Sequence, residues 1–142
     1  MSANKELLND IYQNAEMGIL TIPRLLTAAK EEAFCKILTS QLEEYRAISQ
    51  EARKQMALRK IEPEEPGEFA RIRSAVATEF QTMTDDSVSH LAEMMVQGNT
   101  MGTTAITRRM HEHPDADAEV LRLAERLRKT AEANTEQIRR FL

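Results

Sequence analysis

Gln13-Asn-Ala-Glu-Met-Gly-Ile-Leu-Thr-Ile-Pro-Arg24 returns 84 positions later as Gln97-Gly-Asn-Thr-Met-Gly-Thr-Thr-Ala-Ile-Thr-Arg108, with Gln, Met, Gly, Ile and Arg in register both times. Each copy lies in a stretch whose apolar residues recur at three and four positions, the spacing of an amphipathic helix. A hairpin of two such helices cannot bury its apolar face alone, so two copies of one hairpin must pack on each other. The reading is an all-α fold, a four-helix bundle built from two duplicated helical hairpins.

Around the first copy, Leu8, Ile11, Tyr12, Ala15, Gly18, Ile19, Ile22, Leu25 and Leu26 mark a helix over about residues 5–29. Pro23 falls inside it; losing one hydrogen bond costs about 3 kcal/mol, so a kink beside Ile19 is expected rather than a helix end. A second helix, over about 31–57, shows Phe34, Ile37, Leu38, Leu42, Tyr45, Ile48, Ala52 and Met56 on one face and stops before Pro63-Glu-Glu-Pro66-Gly67. Thr84-Asp85-Asp86-Ser87 supplies short polar side chains to cap a third helix reaching about His111. The fourth starts at Asp115 or Asp117 and carries Val120, Leu123, Ala124, Leu127, Ala131, Ile138 and Phe141 inward. The hairpins thus span 5–57 and 86–141. Between them, residues 58–83 are long enough to cross the bundle, and Phe69, Ile72, Val76, Phe80 and Met83 predict a short extra helix after Gly67. A long crossover between hairpins predicts up-down-down-up, ferritin-like connectivity, where short loops throughout would give up-down-up-down.

A chain of 142 residues can bury one core without disulfides or metal staples, and the expectation is a single domain over 1–142. Aromatic residues make up only 4% and Trp is absent, which suits helices packed through Leu, Ile, Met and Ala rather than strands. The formal charge is −4, with Lys and Arg scattered among Asp and Glu. No basic stripe offers itself to phosphates or a membrane surface, so neither nucleic acid nor a membrane is an expected partner. The Met-Ser-Ala-Asn-Lys-Glu start has no apolar signal region and no apolar run is of spanning length, so a cytoplasmic protein is expected. Cys35, the one cysteine, reads as a buried thiol filling a core gap.

The hairpin pattern, the crossover, and the phrases Leu8-Asn-Asp-Ile-Tyr-Gln-Asn14 and Ser89-His-Leu-Ala-Glu-Met94 resemble uncharacterised bacterial proteins of the ferritin-like, rubrerythrin-type bundle superfamily, over nearly the whole chain. The resemblance implies a di-metal oxidase or iron-handling role. Such a centre needs a carboxylate from each of two helices and Glu-x-x-His from each of the other two. Here the inward i, i+3 pair is Gln41 and Glu44 on the second helix and Leu127 and Thr130 on the fourth, and neither helix contains histidine. The first and third helices present Ala15 and Asn99, with Glu16 about a quarter turn off the core face and Thr100 as its counterpart. No catalytic, cofactor-binding or metal-binding residue is therefore assigned. His90-x-x-Glu93 and His111-x-His113-x-Asp115 are minor metal candidates that read more simply as solvated side chains near helix ends. No phosphate cradle or Ser-His-Asp set is present.

Two features remain. Gln41, Glu44, Asn99, Thr103, Thr130 and Asn134 project near the middle of the inward stripes, predicting a hydrogen-bonded polar core layer or a small polar cavity. Gln13, Met17, Leu20 and Arg24 fall on the opposite side of the first helix, and Gln97, Met101 and Arg108 repeat that outer stripe beside Met94 on the third. A helix apolar on two sides is usually covered on two sides. Cover by the crossover is one reading; a homodimer seam or protein-partner groove is preferred, since duplicated residues suit a twofold contact. The expectation is thus a non-catalytic, metal-free ferritin-like bundle that self-associates as a structural or interaction module. The alternative is a degenerate ferritin-like metal-handling protein or oxidoreductase using Glu44, His90 and Glu93, and a ligand-binding bundle stands third.

Overall fold

The computed structural model describes residues 2–142. It contains α1 (Ser2–Ala28), α2 (Glu32–Leu58), α3 (Gly67–Thr82), α4 (Val88–Glu112) and α5 (Ala118–Arg139), with no strand among the described residues. No helix among them is long and apolar enough to cross a membrane. α1 runs on through Pro23, and the Thr27 hydroxyl donates to the Pro23 carbonyl at 3.0 Å.

Named contacts give the directions of the long helices. Ser49 Oγ donates to Glu16 Oε2 at 2.7 Å and Arg53 stacks over the Tyr12 ring, so α2 descends where α1 ascends. Asn14 meets Gly102, Asp10 meets Arg109 and Lys30 meets Asp86, which makes α4 antiparallel to α1. Gln41 reaches Gln137, and Arg59, just beyond α2, reaches Asp117, so α5 is antiparallel to α2.

The amphipathic stripes converge on one core. Leu7, Leu8, Ile11, Ile22 and Leu25 of α1, Phe34, Leu38, Ile48 and Met56 of α2, Leu91 and Ile106 of α4, and Leu127 of α5 are almost wholly buried. Each such side chain contributes about 1.5–3 kcal/mol relative to exposure. At one end, Phe34 and Phe141 pack edge to face with ring centroids 5.1 Å apart, tying the start of α2 to the C-terminus. Cys35 is half-buried, its thiol 3.9 Å from the Ala29 carbonyl.

The helix ends follow local chemistry. Ser87 caps α4 by accepting from the His90 N–H at 3.3 Å, and Asp85 Oδ1 accepts from the Ser87 N–H. α2 closes with Lys60 at φ 55° while the Ile61 N–H donates to the Met56 carbonyl at 2.9 Å, the left-handed termination usually given to glycine. Asp117 precedes α5, its carboxylate bonded to Arg59 and its N–H to Asn4 Oδ1 at 2.8 Å.

The crossover is held by side chains of α1. Asn9 Oδ1 accepts from the Glu64 N–H at 2.6 Å and Gln13 Nε2 donates to the Glu64 carbonyl at 3.0 Å, so both backbone groups of one residue are satisfied by two neighbouring amides. From there α3 runs 16 residues, longer than the short helix expected, packing on α1 and reaching α4 through the Glu68–Arg109 ion pair. Among its residues Phe69 is buried, while Ile72, Val76 and Phe80 stay half-buried. The far end of α3 is met by Arg24, whose guanidinium carbon stands 5.8 Å from the Phe80 ring centroid.

Candidate functional site

Beneath α3 the two copies of the repeat face a common cavity of about 420 Å³. α1 borders it with Asn14, Met17, Gly18 and Thr21; α4 borders it with Met94, Met95, Asn99, Met101 and Gly102; α3 roofs it with Phe69, Ile72, Val76 and Phe80. The cavity reaches inward to Tyr45 on α2 and Ala131 on α5. Its volume falls within the range of small-molecule sites, and its wall is mostly apolar with a few neutral polar groups, the usual make-up of a ligand pocket. The methionines supply flexible, polarizable surface that adapts to shape.

Glycine lets the walls approach. A Cβ on Gly18 would stand 2.8 Å from Tyr45 Cδ2, and one on Gly102 would stand 2.8 Å from Asn14 Oδ1. Asn14 Nδ2 in turn donates to the Gly102 carbonyl at 2.9 Å, pinning α1 to α4 beside the cavity. Gly98, by contrast, borders the cavity with nothing within 4 Å of a Cβ placed there.

The inner end touches a polar layer. Tyr45 Oη donates to Asn99 Oδ1 at 2.9 Å, and Asn134 lies beside the same hydroxyl. Burial pushes the Tyr45 phenol up to about 12, although the neighbouring Asn134 amide pulls the other way. Gln41, fully buried, donates to Gln137 Oε1 at 3.0 Å and to the Asn134 carbonyl at 3.3 Å. Gln41 Oε1, Asn99 Nδ2 and Asn134 Nδ2 are buried without a protein partner, and such atoms cost about 1–3 kcal/mol each when unsatisfied.

Of the six polar positions read from the stripes, Gln41, Asn99 and Asn134 are buried, while Thr103 and Thr130 are half-buried. Thr103 donates to the Thr100 carbonyl of its own helix. Glu44 is corrected: it is exposed, because it lies one helical position, about 100°, from buried Tyr45 and turns past the edge of the core face. The residual burial still raises its carboxyl pKa, against the pull of Arg126.

The outer stripe also divides. Gln13 and Met94 are buried within the chain itself, Gln13 because the crossover takes its amide. Neither can present itself to a second molecule. Met17, Leu20 and Arg24 are half-buried, whereas Gln97, Met101 and Arg108 on α4 stay exposed. Met17, Met94, Gln97, Met101 and Arg108 border the cavity. The crossover, the covering element weighed from sequence, meets Gln13 and Arg24 of the α1 half and shares the cavity wall with Met17.

The histidines sit apart. His90 Nδ1 is 3.6 Å from Glu93 Oε1 in one helical turn, His113 Nε2 is 2.8 Å from Glu6 on α1, and His111 is exposed. Among the described residues no three His, Cys, Asp or Glu side chains gather as metal ligands.

A second, charged recess of about 430 Å³ flanks the start of α3, bordered by Lys5, Asn9, Asp10, Glu64 and Arg109. Asp10 is 5% exposed and its carboxylate lies 2.7 Å from Arg109 Nε, while Arg109 also reaches Glu68 on α3 at 3.5 Å. Burial pushes Asp10 up to about 6 despite Arg109. This trio fastens the first turn of α3 to α1 and α4.

The sequence reading passed over Asn14, Gly98 and the apolar face of α3 as parts of one site. The signal was present in Gly98, which breaks the apolar and helix-forming pattern of the second copy without a counterpart in the first, where Asn14 stands. No protein-family model, no curated protein and no solved structure matches the chain.

Proposed function

We propose that this chain is a ferritin-like, up-down-down-up bundle whose work is binding rather than catalysis, with a small apolar molecule held between α1, α4 and the roofing helix α3. The antiparallel relations of α1 to α2 and α4, and of α5 to α2, support the connectivity. The observation that carries the function is the 420 Å³ cavity into which both copies of the Met-Gly motif turn. An apolar recess of this size, bordered by both copies of the repeat and roofed by a helix with one buried residue, has the dimensions and wall chemistry of a small-molecule site.

Titration with 2-isopropylnaphthalene, followed by its fluorescence, tests this. Wild-type protein is expected to bind it saturably at one site per chain. Gly98→Phe, which adds a ring at the open cavity wall, is expected to lose that binding while staying folded. Absence of saturable binding to wild-type protein rejects the reading.

A second reading, self-association, keeps support on α4 alone, where Met101 is 55% exposed beside exposed Gln97 and Arg108. Met101→Glu is expected to shift the protein to a smaller species in sedimentation velocity; an unchanged mass rejects a seam there.

A further inference from the structure

We propose that α3 is a lid on the cavity, hinged where the crossover is clamped between Glu64 and Phe69 and released at its far end, where Phe80 rests against Arg24. The inference rests on the binding reading above and adds the route by which the molecule enters and leaves.

The two ends of α3 are held by different forces. At the near end the Glu64 N–H donates to Asn9 Oδ1 at 2.6 Å, its carbonyl accepts from Gln13 Nε2 at 3.0 Å, and its carboxylate meets Lys5 Nζ at 3.0 Å. Glu68 then reaches Arg109, itself 2.7 Å from the buried carboxylate of Asp10. Phe69, the buried residue of the helix, follows directly. Lifting this end would strand both backbone groups of Glu64 and bare an aromatic ring, so it stays down.

Beyond Phe69 the polar fastening stops. Among the described residues, the side-chain polar contacts of residues 70–82 are Arg73 with Glu65 and the Thr82 hydroxyl with the Thr78 carbonyl, and both stay within the crossover. Ile72, Val76 and Phe80, which roof the cavity, are half-buried. The far end rests on the core through half-buried Phe80 and Met83, and Arg24 stacks over the Phe80 ring at 5.8 Å. Apolar side chains already half in water lose little by moving out, and a cation–π contact at the surface is weak. No helix constrains the chain between Thr82 and Val88, so this end rises without drawing on α4. Local opening of an element with few buried apolar contacts is the ordinary motion of a lid.

The test needs no ligand. In the full chain carrying Cys35→Ser, labelling of Val76→Cys and, separately, of Phe69→Cys by N-ethylmaleimide is followed by mass spectrometry, with and without Arg24→Ala. Arg24→Ala is expected to speed labelling at Val76→Cys by about two- to fivefold, the worth of one surface cation–π contact, and to leave Phe69→Cys unchanged. Phe80→Leu, which removes the ring and keeps the charge, is expected to speed Val76→Cys by at least as much. If either variant leaves Val76→Cys at its original rate, or if Arg24→Ala speeds both positions alike, the lid is overturned. Should Phe69→Cys fail to fold, Ile72→Cys takes its place and is expected to speed up less than Val76→Cys; equal acceleration overturns the hinge. Saturable binding of 2-isopropylnaphthalene is read separately on wild-type protein. If labelling behaves as expected and nothing binds, the helix still opens and only the binding reading falls.

Discussion

The ring of Tyr45 on α2 rests against the bare backbone of Gly18 on α1, so closely that a Cβ at position 18 would stand 2.8 Å from Cδ2. Tyr45 is 2% exposed and its hydroxyl is bonded to Asn99, so the ring is anchored at its far end and yields only by straining that bond. Gly18→Ala is expected to cost about 1–3 kcal/mol through overpacking. Gly98→Ala, at a position with open space, is expected to gain up to about 1 kcal/mol from helix propensity alone. Urea unfolding of the two variants checks the opposite signs; equal stability would refute the contact.

Removing the Tyr45 hydroxyl strands an acceptor. Tyr45→Phe leaves Asn99 Oδ1 buried without a partner and is expected to cost about 1–3 kcal/mol. The same burial predicts that the Tyr45 phenol ionises only near about 12, above the ordinary 10.0. Ultraviolet titration should show a late phenolate transition that vanishes in Tyr45→Phe. Because the folded value lies above the unfolded one, stability from this group is present below pH 10 and lost as pH rises toward 12.

Asp10 predicts a pH dependence at the acid side. Its folded value of about 6 lies above the ordinary 3.8, so the folded chain holds the proton more tightly than the unfolded chain. The stability linked to that proton is full below 3.8 and is lost as pH rises through about 6. Relative to Asp10→Asn, wild-type protein is expected to lose on the order of 2 kcal/mol between about pH 4 and pH 7. Arg109, Glu68, Glu6 and His113 act on the same carboxyl, with burial the largest influence. Parallel pH profiles for the two proteins would show that burial does not dominate Asp10.

The bond from Asn9 to the Glu64 amide can be read directly by hydrogen exchange. In Asn9→Ala the Glu64 N–H loses its 2.6 Å acceptor, and its exchange is expected to accelerate by about tenfold. Gln13→Ala, which frees the Glu64 carbonyl, is expected to loosen the start of α3 without altering the amides of α5. Unchanged exchange at Glu64 in Asn9→Ala would mean that the crossover is held elsewhere.

How much was legible differs between backbone and site. The five helices follow from apolar spacing and from punctuation such as Ser87 before α4 and Pro63 to Gly67 before α3, because these effects act within a few residues. Glu44 shows where spacing stops being reliable. A residue one position from the centre of a stripe lies about 100° away, and whether it is core or surface depends on how near the next helix stands.

The sequence by itself determined an all-helical chain carrying one segment twice, its core stripes, and the polar residues placed among them, since periodicity and repetition are local properties of the chain. Tertiary structure alone decided that the outward face of α1 would be covered from within the same molecule. Asn9 and Gln13 become clamps only when Glu64, more than fifty positions away, is brought against them, and Met17 and Met101 become walls of one cavity only when α1 and α4 lie antiparallel beneath α3. A residue's spacing states which side of its helix it occupies; what stands opposite depends on contacts between distant segments, whose closure and packing no local pattern encodes.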